Sequence, residues 1–200
     1  MWPLKRKSPV PDDAFEIITP RLVLRPARPS DYLQWRTVRE RNYDYLKPYE
    51  PTWPENCLQQ DFFHRRVDRL LTDWHEDRCY AFLILAKDGT LLGGMNINNI
   101  TRGAGQFATL GYWIDEKSQG NGYMREAGHG ILDFAFRHIR LQRMNAACLV
   151  HNQRSRNLLL ALGFEEEGFA RAYIQINGKR QDHILFGLNA DTYLGATGLS

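Results

Sequence analysis

The sequence predicts an α+β domain: a mixed, largely antiparallel sheet of about seven strands with helices on both faces. Three observations carry this reading. Between residues 80 and 115, three strand-like runs follow one another through short turns, as in an antiparallel meander. A helical stripe over 122 to 140 leads directly into the apolar run MNAACLV, the pattern of a strand-helix-strand crossover. Near the end, two further strand-like runs flank Asn177-Gly178, the strongest two-residue hairpin signal.

Taken in order, residues 1 to 17 hold three prolines and the cluster Lys5-Arg6-Lys7 without periodicity, which predicts a tail. Leu22 to Arg25 form a short strand, and Pro29-Ser30-Asp31 cap a helix running to about Arg41. The Pro-rich stretch LKPYEPTWPEN, 46 to 56, is a loop. Leu58, Phe62, Phe63, Val67, Leu70, Leu71 and Trp74 then mark the core face of a second helix. YAFLILA, LLGGMNINNI and FATLGYWID are the meander strands, with Lys87-Asp88-Gly89 turning the first pair. Met124, Ala127, Ile131, Phe134, Ala135 and Ile139 line one side of the 122 to 140 helix. Leu158, Leu159 and Leu162 give a short helix that Gly163 stops. The domain therefore spans 18 to 190, and the last ten residues, 191 to 200, read as a second tail.

Composition excludes several functional classes. The chain has 200 residues, 26 basic and 23 acidic side chains and 43% apolar residues, which is the make-up of one globular domain. Its longest apolar run, Tyr80 to Ala86, falls far short of the ~20 residues that span a bilayer, and its first residues lack the apolar core of a secretion signal. Three cysteines, at 57, 79 and 148, fit a reducing compartment better than a disulfide framework, so a cytoplasmic protein is expected. A net charge of +3 does not argue for direct nucleic-acid binding, and no membrane partner is expected. The histidines, at 64, 75, 129, 138, 151 and 183, show no ligand spacing with the cysteines, so no metal site is expected.

Chemistry concentrates at Gln119-Gly120-Asn121-Gly122-Tyr123-Met124, between a strand ending near Asp115 and a helix beginning near Gly122. Such a loop aims unpaired backbone N–H groups at one point and adds the positive end of a helix dipole, an arrangement suited to a pyrophosphate. Glycine there lets an anion approach the backbone. With 16 glycines, about one Gly-x-Gly is expected by chance and three occur, at 103, 120 and 128. Position between strand and helix, and not the glycine pair, gives the 120 site its weight. The loop is neither a P-loop, lacking Gly-Lys-Ser/Thr, nor a dinucleotide fingerprint, lacking the third glycine and the acidic residue that follows. Asn152, opening Asn152-Gln153-Arg154-Ser155, is a natural helix cap with an equal claim to a ligand role. Tyr49, Glu50 and Trp53 could form a recognition surface or a surface staple.

Together, Gln119-x-x-Gly122-x-Met124, Asn152-x-x-Ser155, Leu162-Gly163-Phe164 and Glu167-Gly168, in this order of elements, resemble the GNAT superfamily of acetyl-CoA-dependent N-acetyltransferases over about 18 to 190. LVLRPARPSD, LKPYEP, GMNINNITRG, QGNGYMREA, NQRSRNLLLALGFEEEGFA and NGKRQDHI resemble its RimJ-type branch, the acetyltransferases of ribosomal-protein N-terminal alanine. The resemblance implies the GNAT fold in a single domain and acetyl-CoA as cosubstrate. It implies that the backbone at Trp113 and Ile114 pairs with the pantetheine arm, and that Gln119, Gly120, Asn121, Gly122, Tyr123 and Met124 hold the pyrophosphate. Asn152 and Asn157 would contact the cofactor, and Ser155 would serve the leaving thiolate. Two positions depart from the wider superfamily. Leu159 stands where many members carry a tyrosine acid, and Met124 ends the loop motif where a small residue is usual; both suit the RimJ-type branch.

No motif fixes a general base; Glu50 is the expected one by its loop position, with Tyr49 beside it on the acceptor side. The expected acceptor is the N-terminal amine of a small-subunit ribosomal protein. An α-amine, with a reference pKa near 7.7 to 8, is roughly a tenth neutral at pH 7, whereas lysine near 10.4 is under a thousandth neutral. Alignment and oxyanion stabilisation by backbone N–H groups on the 107 to 115 strand then carry most of the work. Two alternatives stay open: a small-molecule amine as acceptor, and a non-catalytic ribosome- or RNA-associated module using Lys5-Arg6-Lys7 and Arg36, Arg39, Arg41, Arg65, Arg66 and Arg69.

Overall fold

The computed structural model describes residues 15 to 196. They build one sheet, in the order β1-β2-β3-β4-β5-β6-β8-β7, from β1 (Ile17–Ile18), β2 (Leu22–Arg25), β3 (Tyr80–Ala86), β4 (Leu91–Thr101), β5 (Phe107–Ile114), β6 (Arg143–Leu149), β7 (Glu165–Ile176) and β8 (Lys179–Asn189). Six α-helices flank it: α1 (Tyr32–Arg41), α2 (Tyr43–Leu46), α3 (Gln60–His75), α4 (Tyr123–Asp133), α5 (Gln153–Ala161) and α6 (Ala190–Ala196). The α+β class, the meander and the crossover agree with the sequence patterns: β3, β4 and β5 pair antiparallel, and β5 and β6 pair parallel across α4.

Apolar residues alternate to fill two cores. Leu22, Leu24, Tyr80, Phe82, Ile84, Met95 and Ile97 meet Ala127, Ile131 and Phe134 in the larger one. On the other side Leu83, Leu85 and Leu91 meet Tyr32, Trp35, Val38, Phe63 and Val67 from α1 and α3. Helices on both faces follow from this double alternation, because β3 is apolar on both sides and must be covered twice.

Four details correct the sequence reading. The sheet has eight strands, because Ile17–Ile18 pairs with Val23 and Leu24. Residues 15 to 17, counted with the tail from sequence, belong to the fold: Phe15 sits 5.3 Å from Trp74 and 5.5 Å from Phe134, ring to ring. Residues 1 to 14, Lys5-Arg6-Lys7 among them, lie outside the described residues. At the other end, residues 190 to 196 are a helix rather than a tail. Tyr193 is 4% exposed there and its hydroxyl donates to the His129 carbonyl at 3.2 Å. A seven-residue helix with one aromatic anchor is too short to show a period. Finally, the loop from 46 begins with helical turns at 43 to 49, and the 122 to 140 helix is α-helical only to Asp133, continuing as a wider π turn through His138.

The pairing that shapes the molecule is the shortest one. β5 and β6 are in register only over Phe107–Thr109 and Arg143–Asn145; beyond them the strands part. Asp115 N–H bonds to Leu92 on β4 at 2.7 Å, so by strand alternation the N–H groups of Tyr112 and Ile114 point the other way, into the gap. Glycines on β4 permit this wall: a Cβ at Gly93 would lie 2.3 Å from the Trp113 carbonyl oxygen and 3.0 Å from the Ile114 Cα. Gly93→Ala must push the Trp113–Ile114 backbone outward and should destabilise the fold by about 1–3 kcal/mol, measured as a shift in urea midpoint at unchanged slope.

Candidate active site

The gap between β5 and β6 widens into a cleft of about 1180 Å³, beyond the ~300–1,000 Å³ usual for a single small ligand. One end is the loop between a single 3-10 turn, Glu116–Ser118, and α4. Gly120 and Gly122 adopt φ of +74° and +75°, the left-handed conformation that glycine takes without strain. Gly122 is the N-cap of α4. Among the described residues the backbone N–H groups of 120 to 125 meet no acceptor, whereas those of Gln119 and Glu126 bond to Glu116 and Gly122. A Cβ at Gly120 would meet no atom within 4 Å, and one at Gly122 would meet only the Arg21 guanidinium, at 3.5 Å. The amide of Gln119 is buried with its Nε2 unpartnered, which marks the loop as built for an acceptor that the protein itself does not supply.

The loop is held from behind. Glu126 accepts from Thr19 Oγ1 at 2.6 Å and from the backbone and guanidinium of Arg21, and Arg21 also donates to the Asn121 carbonyl at 2.9 Å. Asp115, 3% exposed, closes β5. Its carboxylate accepts from Asn42 at 2.7 Å and from the Arg41 guanidinium, while Asn42 Oδ1 accepts from Glu116 N–H. Burial raises the Asp115 pKa, but the hydrogen bonds from Arg41 and Asn42 and the Arg41 charge outweigh it, leaving the group below its ordinary value.

Trp113, Ile114, Gln119, Gly120, Gly122, Tyr123, Met124, Asn152, Ser155 and Asn157 all line this one cleft, and so do Tyr49 and Glu50. Asn121 does not; its side chain folds back on the loop, donating to the carbonyls of Ser118 and Gln119. Asn152 caps α5, accepting from Ser155 N–H at 3.1 Å, so the cap role is real and the residue faces the cleft besides. Ser155 Oγ lies 2.6 Å from the Tyr112 hydroxyl. Glu50 is fully engaged: Arg39 holds both carboxylate oxygens, at 2.9 and 2.5 Å, and Trp53 Nε1 donates at 2.7 Å. The Arg39 guanidinium stacks on the rings of Trp53 and Trp113, 4.1 and 4.9 Å from their centroids.

At the far end the hairpin β7–β8 reaches the 47 to 51 segment, Asn177 N–H donating to the Glu50 carbonyl at 3.0 Å. Ile174, Ile176 and His183 line the cleft from this hairpin. His183 is 3% exposed, and its Nδ1 lies 2.9 Å from the Gln181 carbonyl. Since a carbonyl only accepts, the neutral ring carries its proton on Nδ1 and leaves Nε2 as a lone pair. Neither Tyr112 nor His183 stands out in the sequence, because a Tyr in a strand and a His after an Asp carry no motif spacing. Of the arginines set aside as a possible basic surface, 36, 39 and 41 are in ion pairs with Glu40, Glu50 and Asp115.

The model of the acetyltransferase (GNAT) domain matches residues 21–165 of this chain. The chain belongs to the GNAT acetyltransferases. It is 32% identical over 174 residues to the [ribosomal protein uS5]-alanine N-acetyltransferase of Escherichia coli K12, a match covering 86% of this chain and 89% of the relative. The ribosomal-protein-S5-alanine acetyltransferase of Vibrio fischeri superposes with a TM-score of 0.83 at 29% identity, over 90% of this chain and 98% of that one. Mycobacterium smegmatis RimJ in complex with CoA-disulfide superposes at 0.80 and 29%, over 88% and 89%. This is therefore an acetyl-CoA-dependent N-acetyltransferase, and the RimJ-type resemblance seen in its motifs holds over the whole domain. The unpaired amides and the orphaned Gln119 amide fit an acidic cosubstrate.

Asp115 makes the site sensitive to acid. Its depressed pKa means that the ion pair stabilises the fold above the carboxylate range and that this stability is lost as pH falls through the folded-state value. Asp115→Asn should cost about 1–3 kcal/mol at pH 7, and the gap between variant and parent should close toward pH 3 in denaturant titrations.

Proposed function

We propose that this enzyme transfers acetyl from acetyl-CoA to the N-terminal α-amine of a ribosomal protein, foremost one of the small subunit, by direct attack in a ternary complex. The observation that carries the reading is a single cleft with an anion cradle at one end and an aromatic and apolar wall at the other, large enough for both partners at once. The relatives named for alanine acetylation of a ribosomal protein support the acceptor. Being an enzyme, the chain is not the non-catalytic module that its basic residues left open.

In this reading the N–H groups of residues 120 to 125 and Gln119 take the pyrophosphate, and Asn152 and Asn157 flank the pantetheine arm along Trp113 and Ile114. The Ile114 N–H, turned into the gap, donates to the carbonyl oxygen as negative charge develops on it, a contribution of about 3–4 kcal/mol for one such donor. Ser155 serves the departing sulfur. Tyr49 and the Ile174–Ile176 side of the hairpin receive the first residue of the acceptor.

Glu50, with both oxygens committed to Arg39 and one shared with Trp53, shapes the acceptor loop instead of taking a proton. His183 is the better proton acceptor, because its Nε2 lone pair is free and it lines the same cleft. An α-amine, already partly neutral, asks little of it.

Mass spectrometry after incubation with acetyl-CoA decides the acceptor: a peptide beginning with alanine should gain one acetyl group on its α-nitrogen, ahead of lysine side chains and of small amines such as a polyamine or an aminoglycoside. Preferential modification of a small amine would move the enzyme to the other acceptor class. Replacing Gly122 by tryptophan should abolish acetyl-CoA binding by calorimetry while the far-ultraviolet spectrum stays that of the parent; unchanged affinity would place the pyrophosphate elsewhere. His183→Asn, which keeps a donor for Gln181, should lower kcat/KM on the peptide tenfold or more at unchanged acetyl-CoA affinity.

A further inference from the structure

Ser155 has one hydroxyl proton and two acceptor positions, and its usefulness to a leaving group depends on where that proton points. Its backbone N–H is taken by Asn152, so only the hydroxyl is left to act. The Tyr112 hydroxyl lies 2.6 Å from Ser155 Oγ and 3.4 Å from the Ser155 carbonyl oxygen. Among the described residues these two atoms are its only hydrogen-bond partners. The phenol therefore either donates to the serine or takes the serine's proton.

Acidity decides. A phenol titrates near 10, far below an aliphatic alcohol, so it is the stronger donor of the two. Burial raises the Tyr112 pKa further, which keeps its proton in place across the working pH range. With the phenol donating to Oγ, the serine proton is released from Tyr112 and turns toward the open cleft. The Cys148 sulfur, beside Ser155, is the competing acceptor for that proton, and burial, which raises its pKa, keeps it a neutral thiol and so a weak one. No other hydroxyl in this part of α5 competes: position 159 is Leu159, 1% exposed in the core.

We propose that Tyr112 is a positioning residue for Ser155: by donating to Oγ from β5, it aims the serine hydroxyl proton into the cleft at the sulfur released as coenzyme A. This rests on the reading above that Ser155 serves that sulfur. The amine nitrogen forms its bond to the acetyl carbon, the C–S bond breaks, and the sulfur leaves with the electron pair. The serine hydrogen bond steadies that pair. The proton that finally rests on sulfur is the one the amine loses, so the Tyr112–Ser155 pair ends the cycle as it began.

The test uses Tyr112→Phe, Ser155→Ala and the double variant in the full chain, with two readouts. In the first, free coenzyme A is bound and its thiol titrated by thiolate absorbance, which requires no acceptor. Loss of the aimed donor should raise the bound thiol's pKa in Y112F and S155A alike, and the double variant should show no further rise. In the second, Y112F should lower kcat on an alanine-initiated peptide about three- to thirtyfold with KM for acetyl-CoA unchanged, and should have no effect when added to S155A. Melting temperatures track the fold, and the phenylalanine ring preserves the packing volume. A thiol titration that moves in S155A but not in Y112F, or full additivity of the two substitutions, overturns the role of Tyr112. A titration unmoved by S155A overturns instead the reading of Ser155 beneath it. A peptide left unmodified by the parent enzyme bears on the acceptor alone, and the thiol titration still decides the pair.

Discussion

Everything in this enzyme's site follows from the parting of two strands. Parallel pairing between β5 and β6 stops after Thr109 and Asn145, and each strand then continues with one edge bare. In most sheets bare edges are liabilities that must be covered. Here the cost is met by geometry: β5 is secured on its other side by β4 through Ile114, and β6 by β8 through His183. Neither wall can close the gap, because each is fixed by an antiparallel partner. The gap is held open as a slot with the free edge of β5 along it, and α4, which follows the end of β5, begins at its mouth. A helix N-terminus with unspent donors thereby comes to lie where a strand edge ends, and neither feature would make a cofactor site without the other.

Charged contacts transmit this frame to both ends of the cleft. Asp115 ties the end of β5 to Arg41 and Asn42 of the α1–α2 junction, and Asn42 in turn holds Glu116. Two residues earlier on the helix, Arg39 holds Glu50 and stacks between Trp53 and Trp113. The C-terminal end of α1 is thus the clamp between the end of β5 and the segment around Glu50. Its arginines are structural cations with assigned carboxylates, and this is why they do not form a free basic surface.

Much of this was legible in the sequence, and the reasons are specific. Long patterned segments reveal themselves: β3 by its unbroken apolar run, α3 by its stripe, the last hairpin by Asn177-Gly178, whose residues take φ of +44° and +80°. The loop at 119 to 124 was legible by its position between a strand and a helix, and Gly122 is indeed the left-handed N-cap of α4. Short elements were not: Ile17–Ile18, two residues paired with Val23 and Leu24, is too brief to show an alternation, and the helix around Tyr193 is anchored on His129, some sixty residues away. The same limit hid Tyr112 and His183. A strand residue acquires chemistry from what faces it across a gap, and no local spacing records that. Glu50 shows the converse, a carboxylate well placed by its loop yet occupied by an arginine eleven positions earlier.

The distribution of polar groups also suits the reaction's energetics. In the proposed reaction the α-amine and the thiol both titrate within about a unit and a half of neutrality, so neither proton transfer demands a strongly perturbed acid or base. The demanding moment is the charge that gathers on the carbonyl oxygen and then on sulfur. In the proposed mechanism fixed donors serve both places, a strand amide on β5 for the oxygen and a hydroxyl on α5 for the sulfur, and both donors belong to elements of the fold. Preorganised dipoles cost no reorganisation when the charge appears, which leaves His183, in the proposed mechanism, only the amine proton to accept. A cleft of this kind works by holding hydrogen-bond donors still, and the diverging strands are what hold them.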